Sequence, residues 1–387
     1  MLSPYRVLDL TDRRAALGPM MLADLGAEVI RVDPPGADHF GADPEYLAYN
    51  RNKRSVALDI ESDDGRAAVR ALAATADFLV ENDAPGAMAA RGLGFDDLRA
   101  LNPRLIYVAI SPFGQDGPYA GHIATDLTLV AMGGMMAING DADRPPVRIS
   151  VPQAWRHAAA ESAVAAMLAL QRREQTGEAQ FVDVSVQAAV FWTTLNASIA
   201  AAIQGRDIQR QGTNVQIGTI TLRALFECAD GYAVLFSNNL WRAIVGWMVE
   251  EGDVDASWQE EDWSTWNTRM MSGQPISHTY DELLERVGPF VARHTRHALL
   301  ERGMADGVFI APVNTLEDVL AFPHLEARQY WQALTPPGGG ASLRAPGPWV
   351  RLEKTPIAPR RPPPAPGADT DAVLAGLTPA ARPEVTA

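Results

Sequence analysis

The chain has 387 residues, 47% of them apolar and 21% charged, which are the values of a globular protein large enough for two or three domains. Its net charge of −14 excludes a general nucleic-acid or anionic-membrane binder and leaves room only for a local basic pocket. A single cysteine, Cys228, excludes an intrachain disulfide and fits a reducing compartment.

Val7 to Leu10 read as a buried strand, with no signal-peptide pattern ahead of it, so a soluble cytoplasmic protein is expected. A helix to about Leu25, stopped by Gly26, and a second strand over residues 27–33 complete a βαβ unit, which implies a parallel sheet. Residues 50–59 then bring Arg51, Lys53 and Arg54 together, interleaved with Asn50 and Asn52, at the start of a strand. This cluster reads either as a phosphate or carboxylate site or as a solvated loop. Ser62 caps the next helix, and the strand Phe78–Val80 runs into Glu81, Asn82 and Asp83. Loops at the carboxyl ends of parallel strands are where open α/β sheets bind ligands. The strand over residues 105–110 ends in a Gly/Pro-rich loop on the same edge. Alternating β and α over the first 120 or so residues predicts a doubly wound sheet.

Val147, Ile149 and Val151 alternate with polar residues as a short extended segment, closed by Pro152. An Ala-rich helix follows to about Arg173, with Ala163, Met167 and Leu170 on one stripe and Ala160, Val164 and Leu168 beside them. Its polar residues, Gln153, Trp155, Arg156, His157 and Glu161, gather in the first two turns. His157 and Glu161 are four apart and face one way, as a reactive pair or as an ordinary ion pair. Residues 180–186 read as a strand and the uncharged run to Gly205 as a buried soluble helix rather than a membrane span. A polar linker spans residues 204–216, and a hairpin turns at Asp230-Gly231. An acidic insertion rich in Trp lies at residues 250–266, a strand over 308–313 and a helix over 315–322 follow, and the Pro-rich tail from Thr335 should run extended. G-x-G-x-x-G, P-loop, G-x-S-x-G and H-E-x-x-H patterns are absent from the sequence. His294 and His297 read as helix-surface residues, and Cys228 as core.

Seven segments in order over nearly the whole chain resemble one family, the class III CoA-transferases (CaiB/BaiF family). They are VLDL, LADLGAEVIRVDPPGAD, NRNKRSVALDI, VEN-x-x-PG, LGFDDLRALNPRLIYVAISPFGQDGPYA, RREQTGEAQFVDVS and APVNTLEDVL. The resemblance implies an α/β fold: a Rossmann-like, doubly wound parallel sheet built from both chain ends, with a smaller α+β domain. The expected boundaries are 1–205 for the large CoA-binding domain, 206–325 for the small domain and 326–387 for a Pro-rich segment returning to the first. It also implies an interlocked homodimer. Coenzyme A enters as an acyl-CoA substrate with no covalently bound cofactor or metal, a carboxylic acid is its co-substrate, and the thioester lies at the domain interface. The resemblance points to Asn82, Asp83 and the neighbourhood of Arg91 as contacts to CoA, although the family's arginine aligns with Ala90, one place earlier. With the basic cluster, Arg51 and Arg54 complete the expected CoA-binding groove.

At the start of the central helix the family's transferases carry a nucleophilic aspartate, and this chain carries Trp155. The racemase branch carries His then Asp in the preceding segment, where this chain has Thr125 and Asp126. Three readings follow. One is an active CoA-transferase with chemistry relocated to Asp126, His157 and Glu161 and with Trp155 walling the pocket. Another is an incomplete subunit of a heteromer with a second chain of the family. The third is an acyl-CoA isomerase or racemase, or a non-enzymatic acyl-CoA binder.

Overall fold

The computed structural model describes residues 1–37, 43–205, 208–217, 220–236, 240–337 and 339–377. Part of the expected linker (206–207), Asp38 of the family-like segment and the end of the tail (378–387) lie outside the described residues. The chain divides into two compact units, one of residues 1–137, 147–208 and 324–387 and the other of 138–146 and 209–323.

The first unit is built on a parallel sheet of six strands. Its strands are β1 (Arg6–Leu10), β2 (Glu28–Asp33), β3 (Lys53–Ala57), β4 (Phe78–Glu81), β5 (Ile106–Ser111) and β6 (Phe181–Ser185), in spatial order β3-β2-β1-β4-β5-β6. Every residue of β5 is buried, as a strand covered on both faces requires. The chain winds outward from β1 in one direction and from β4 in the other. The carboxyl ends of these two neighbours therefore bound the crevice at the topological switch point.

Helices α1 (Leu17–Asp24), α2 (Pro44–Tyr49), α3 (Asp63–Ala73), α4 (Ala87–Ala90) and α5 (Phe95–Arg99) connect these strands, followed by α6 (Asp126–Met132) and α7 (Ala154–Thr176). The small residues of α7 have a physical cause. A Cβ on Gly18 of α1 would stand 2.5 Å from Ser162 Oγ and 2.6 Å from Ala159 O, so α1 and α7 approach too closely for larger side chains. Ala158, Ala163, Ala166 and Leu170 are buried, whereas Val164 and Leu168 are exposed on the opposite face. The alternating apolar residues 147–151 form no strand; Val147, Ile149 and Val151 are all exposed. The uncharged run after β6 is not one buried helix. It breaks into α8 (Val186–Trp192) and α9 (Leu195–Gln204), bent by 62°, and α9 buries none of its residues. No single helix among the described residues is long and apolar enough to cross a membrane.

In the second unit, β7 (Asn214–Ile217) and β8 (Ile220–Arg223) pair antiparallel. The hairpin of β9 (Leu225–Cys228) and β10 (Gly231–Leu235) turns through Ala229 and Asp230. Helices α10 (Leu240–Glu250), α11 (Trp263–Met271), α12 (Tyr280–Ala292) and α13 (Arg296–Ala305) precede β11 (Ile310–Pro312), which adds to β10. The tryptophans hold this unit's core: Trp241, Trp247, Trp263 and Trp266 are buried, and Trp258 stacks on His278 at 3.9 Å. Cys228 is buried in β9.

Two short helices, α14 (Leu316–Leu320) and α15 (Pro323–Ala327), lead to the antiparallel pair β12 (Trp331–Leu334) and β13 (Leu343–Pro346) of the first unit. The tail then returns to β3. Asn52, at φ 64°, accepts the backbone N–H groups of Arg360 and Arg361 on its Oδ1, at 2.6 and 3.0 Å. Asp369 accepts from Ser55 N at 3.0 Å, just before α16 (Thr370–Ala375).

Candidate functional site

A cavity of about 640 Å³ opens at the carboxyl edge of the sheet. Its apolar lining comes from the ends of β1, β2 and β3 (Leu10, Val32, Leu58 and Ile60) together with Pro34 and the ring of Tyr46. Thr11, Asp12 and Arg13 after β1, Asp59 and Glu61 after β3, and Asn50, Asp43 and Arg31 complete it. An apolar slot with a polar rim suits a flat aromatic group carrying hydroxyls and charge.

Buried charges hold the floor rigid. Lys53 Nζ donates to Asp9 Oδ2 at 2.8 Å, to Asn50 Oδ1 at 2.9 Å and to Ala16 O at 3.0 Å. Arg31 donates to Asp33 at 2.8 Å and to Thr11 O at 3.1 Å. Burial alone would raise the Asp9 carboxyl, but Lys53 and Arg31 outweigh it and hold Asp9 below its ordinary range. Burial pulls the Lys53 ammonium down to about 8, against the pull of Asp9. Asp9 in turn accepts both the N–H and the hydroxyl of Thr11, at 2.9 and 2.6 Å, so this network sets the loop after β1.

That loop is tied to its neighbour across the switch point. Asp12 N donates to Asn82 Oδ1 at 2.8 Å, and Asn82 Nδ2 donates back to Asp12 Oδ1 at 3.0 Å. Arg91 bridges Asp83 and the cavity residue Glu61, each at 2.8 Å. Asn82, Asp83 and Arg91 do not themselves line the cavity; Asn82 and Arg91 bond to Asp12 and Glu61, which do. Glu81, which sequence reasoning passed over, ends β4 buried at 5% exposure, and burial raises its carboxyl to about 8. Only its place at the end of a buried strand could have marked it.

The basic cluster behaves differently. Arg51 is buried and pairs with Asp24 at 2.7 Å, donating also to Pro346 O; Arg54 pairs with Glu28 and Asp369. Neither lines the cavity, whereas Asn50 does. A guanidinium that enters a buried position at a strand start finds carboxylates of the fold before it finds a ligand.

At the central helix, Asp126 acts across the chain. Its Oδ2 accepts from Gln153 N at 3.1 Å and its Oδ1 from Trp155 N at 3.4 Å, satisfying free N–H groups at the start of α7. Thr125 caps α6, accepting from Thr128 N at 3.3 Å. Trp155 is not among the residues that line this cavity. It is 2% exposed and lies in the core, with the Arg14 guanidinium 4.4 Å from its ring centroid. His157 and Glu161 are half-buried on one face, and no hydrogen bond joins them among the described residues. Partial burial raises the Glu161 carboxyl, with His157 opposing. Arg156 donates to the carbonyls of Arg13 and Arg14 at 2.8 and 3.1 Å and pairs with Glu45 at 2.9 Å, which fixes the β1 loop from the helix side.

Residues 2–370 match the profile of CoA-transferase family III. The chain is 32% identical to the succinyl-CoA:(R)-benzylsuccinate CoA-transferase subunit BbsE of Thauera aromatica, over 89% of this chain and 86% of that one. It is 30% identical to human succinyl-CoA:glutarate CoA-transferase, over 96% of this chain and 85% of the relative. Among solved structures, a CAIB/BAIF family protein from Brucella suis superposes with a TM-score of 0.81 at 26% identity, covering 96% of this chain and 98% of that one.

Proposed function

Because this chain belongs to CoA-transferase family III and is a CoA-transferase, we propose that its switch-point cavity takes the nucleotide end of an acyl-CoA. The observation that carries the reading is the reciprocal Asp12–Asn82 pair, which holds the loops after β1 and β4 as one wall beside an apolar slot. Pre-formed walls cost a ligand little ordering on binding. Leu10, Val32, Leu58 and Ile60 cover the adenine, and Asp59 and Glu61 face the ribose hydroxyls. Asn82, Asp83 and Arg91 keep that wall in position; Arg51 and Arg54 hold the fold.

The acceptor is a dicarboxylic acid, a reading supported by relatives named for succinyl-CoA with glutarate or mesaconate. The reaction exchanges CoA between two carboxyl groups: a carboxylate oxygen of the acceptor bonds to the donor's acyl carbon as its acyl–sulfur bond breaks, giving a mixed anhydride. The CoA thiolate then attacks the acceptor's acyl carbon, breaking its bond to the shared oxygen so that the donor leaves as its carboxylate. At the helix start Asp126 fixes the backbone of residues 153 and 155, and His157 and Glu161 supply the half-buried acid–base pair. The same reading includes a dimer. Its support is exposed apolar side chains, Val164 and Leu168 on α7 and Leu195, Ile199 and Ile203 on α9. A cytoplasmic setting fits the single thiol, Cys228.

A second reading rests on Trp155, which supplies no carboxylate, and on a relative named as a subunit. In it the chain works with a second family chain that carries the nucleophile. The test is CoA exchange from succinyl-CoA to isotope-labelled dicarboxylic acids by the purified chain. Exchange by the chain alone supports the first reading, and exchange only after a second family chain is added supports the other. No exchange and no CoA binding in either preparation would overturn both.

A further inference from the structure

Charge around the cavity is almost fully accounted for within the fold. Arg31 is held by Asp33, Arg14 by Asp12, Arg91 by Asp83 and Glu61, and Arg156 by Glu45. Arg13 differs. It lines the cavity, its side chain is exposed, and among the described residues its guanidinium has no hydrogen-bond or ion-pair partner. Its backbone, in contrast, is fixed: Thr11 and Asp12 on one side are bonded to Asp9 and Asn82, and its own carbonyl accepts from Arg156 at 2.8 Å. A rigid stem carrying an uncompensated cation at the mouth of an apolar slot is the arrangement that recognises an anionic group on an otherwise flat, apolar ligand. The acidic rim groups, Asp12, Asp43, Asp59 and Glu61, repel anions, so one position on the rim selects for negative charge.

We propose that Arg13 is the phosphate-recognising residue of this cavity, pairing bidentately with a phosphate of the 3′-phosphoadenosine diphosphate end of CoA. This assignment rests on the nucleotide-cavity reading above. The phosphate is either the 3′-monophosphate or the bridging diphosphate, which share the chemistry that a guanidinium fork reads. Arg13 therefore acts as a specificity residue for the phosphorylated ligand and leaves the acid substrate untouched.

Titration calorimetry of the full chain with CoA and with 3′-dephospho-CoA tests this, using the wild type, Arg13→Gln and Ile60→Trp, with melting temperature as a check on folding. If the proposal holds, Arg13→Gln raises the Kd for CoA about tenfold or more, the size of a charge-assisted hydrogen bond. Unchanged dephospho-CoA binding assigns the 3′-phosphate, and a loss for both ligands assigns the diphosphate. Equal Kd values for wild type and Arg13→Gln with both ligands overturn the proposal. Ile60→Trp fills the slot and separates the two levels of inference. If it abolishes CoA binding while Arg13→Gln is silent, the cavity reading stands and Arg13 alone is wrong. If Ile60→Trp binds CoA as tightly as the wild type, the nucleotide lies elsewhere and both fail.

Discussion

The guanidinium of Arg14 lies over the indole of Trp155, 4.4 Å from the ring centroid, at the first turn of the helix that organises the first unit. Where the resemblance leads one to expect a reactive carboxylate, the fold has a buried aromatic ring covered by a cation. Truncation of that ring should therefore act on stability. Trp155→Ala is expected to cost about 3–5 kcal/mol, the range for a large aromatic removed from a core. Arg14→Gln should cost under about 1 kcal/mol, since a cation–π contact at an exposed rim is weak. Urea unfolding of both variants measures this. A Trp155→Ala chain as stable as the wild type would mean that the ring is not a core residue.

Arg51 and Asp24 supply the second prediction. Both side chains are buried, at 8% and 0% exposure, so removing one partner leaves the other charge without compensation. Asp24→Ala should destabilise by about 3–5 kcal/mol. Affinity for CoA per folded molecule should stay at the wild-type value in calorimetry below the variant's melting range. Weakened binding by fully folded Asp24→Ala would return Arg51 to the ligand.

His157 and Glu161 share a face of α7, and no hydrogen bond joins them among the described residues. His157→Gln is expected to leave the melting temperature unchanged while lowering kcat of CoA exchange about 100-fold, the low end for a general acid–base group. A lowered melting temperature with kcat intact would make the histidine structural and remove it from the mechanism.

The parallel sheet was legible because its strands announce themselves. Continuous apolar runs such as Phe78–Val80 and the segment around Val108, broken by capped helices, leave few other arrangements. The position of Asn82 and Asp83, just past the end of a strand at the carboxyl edge, was legible for the same reason. Arg51 and Arg54 were misleading because sequence displays charge but not its partners, and Asp24 and Asp369 lie far from them along the chain. Val147, Ile149 and Val151 alternate as a strand would, yet residues 147–151 adopt no strand and all three side chains are exposed. Arg13 went unread because its importance lies in lacking a partner, which only the three-dimensional arrangement reveals.

The last prediction concerns Glu81. Its Oε2 accepts from Asp83 N at 2.6 Å, at the root of the wall formed with Asp12 and Asn82. Burial raises this carboxyl from its ordinary 4.5 to about 8, with the Asp83 N–H pulling the other way. Between those values the folded chain keeps a proton that the unfolded chain has lost. The unfolded state then binds fewer protons, and stability falls as pH rises. The contribution is fully present below pH 4.5 and is lost as pH climbs through about 8. Glu81→Gln keeps a neutral side chain and the acceptor for Asp83 N, so it should lack this dependence. The stability difference between wild type and Glu81→Gln should move against the wild type from pH 5 to pH 8.5, by at most about 1.4 kcal/mol per pH unit. Urea midpoints at three or four pH values across that window measure the difference. Curves for the two proteins that run parallel would show that Glu81 is already ionised in the folded chain, and the wall would then be held by a charge.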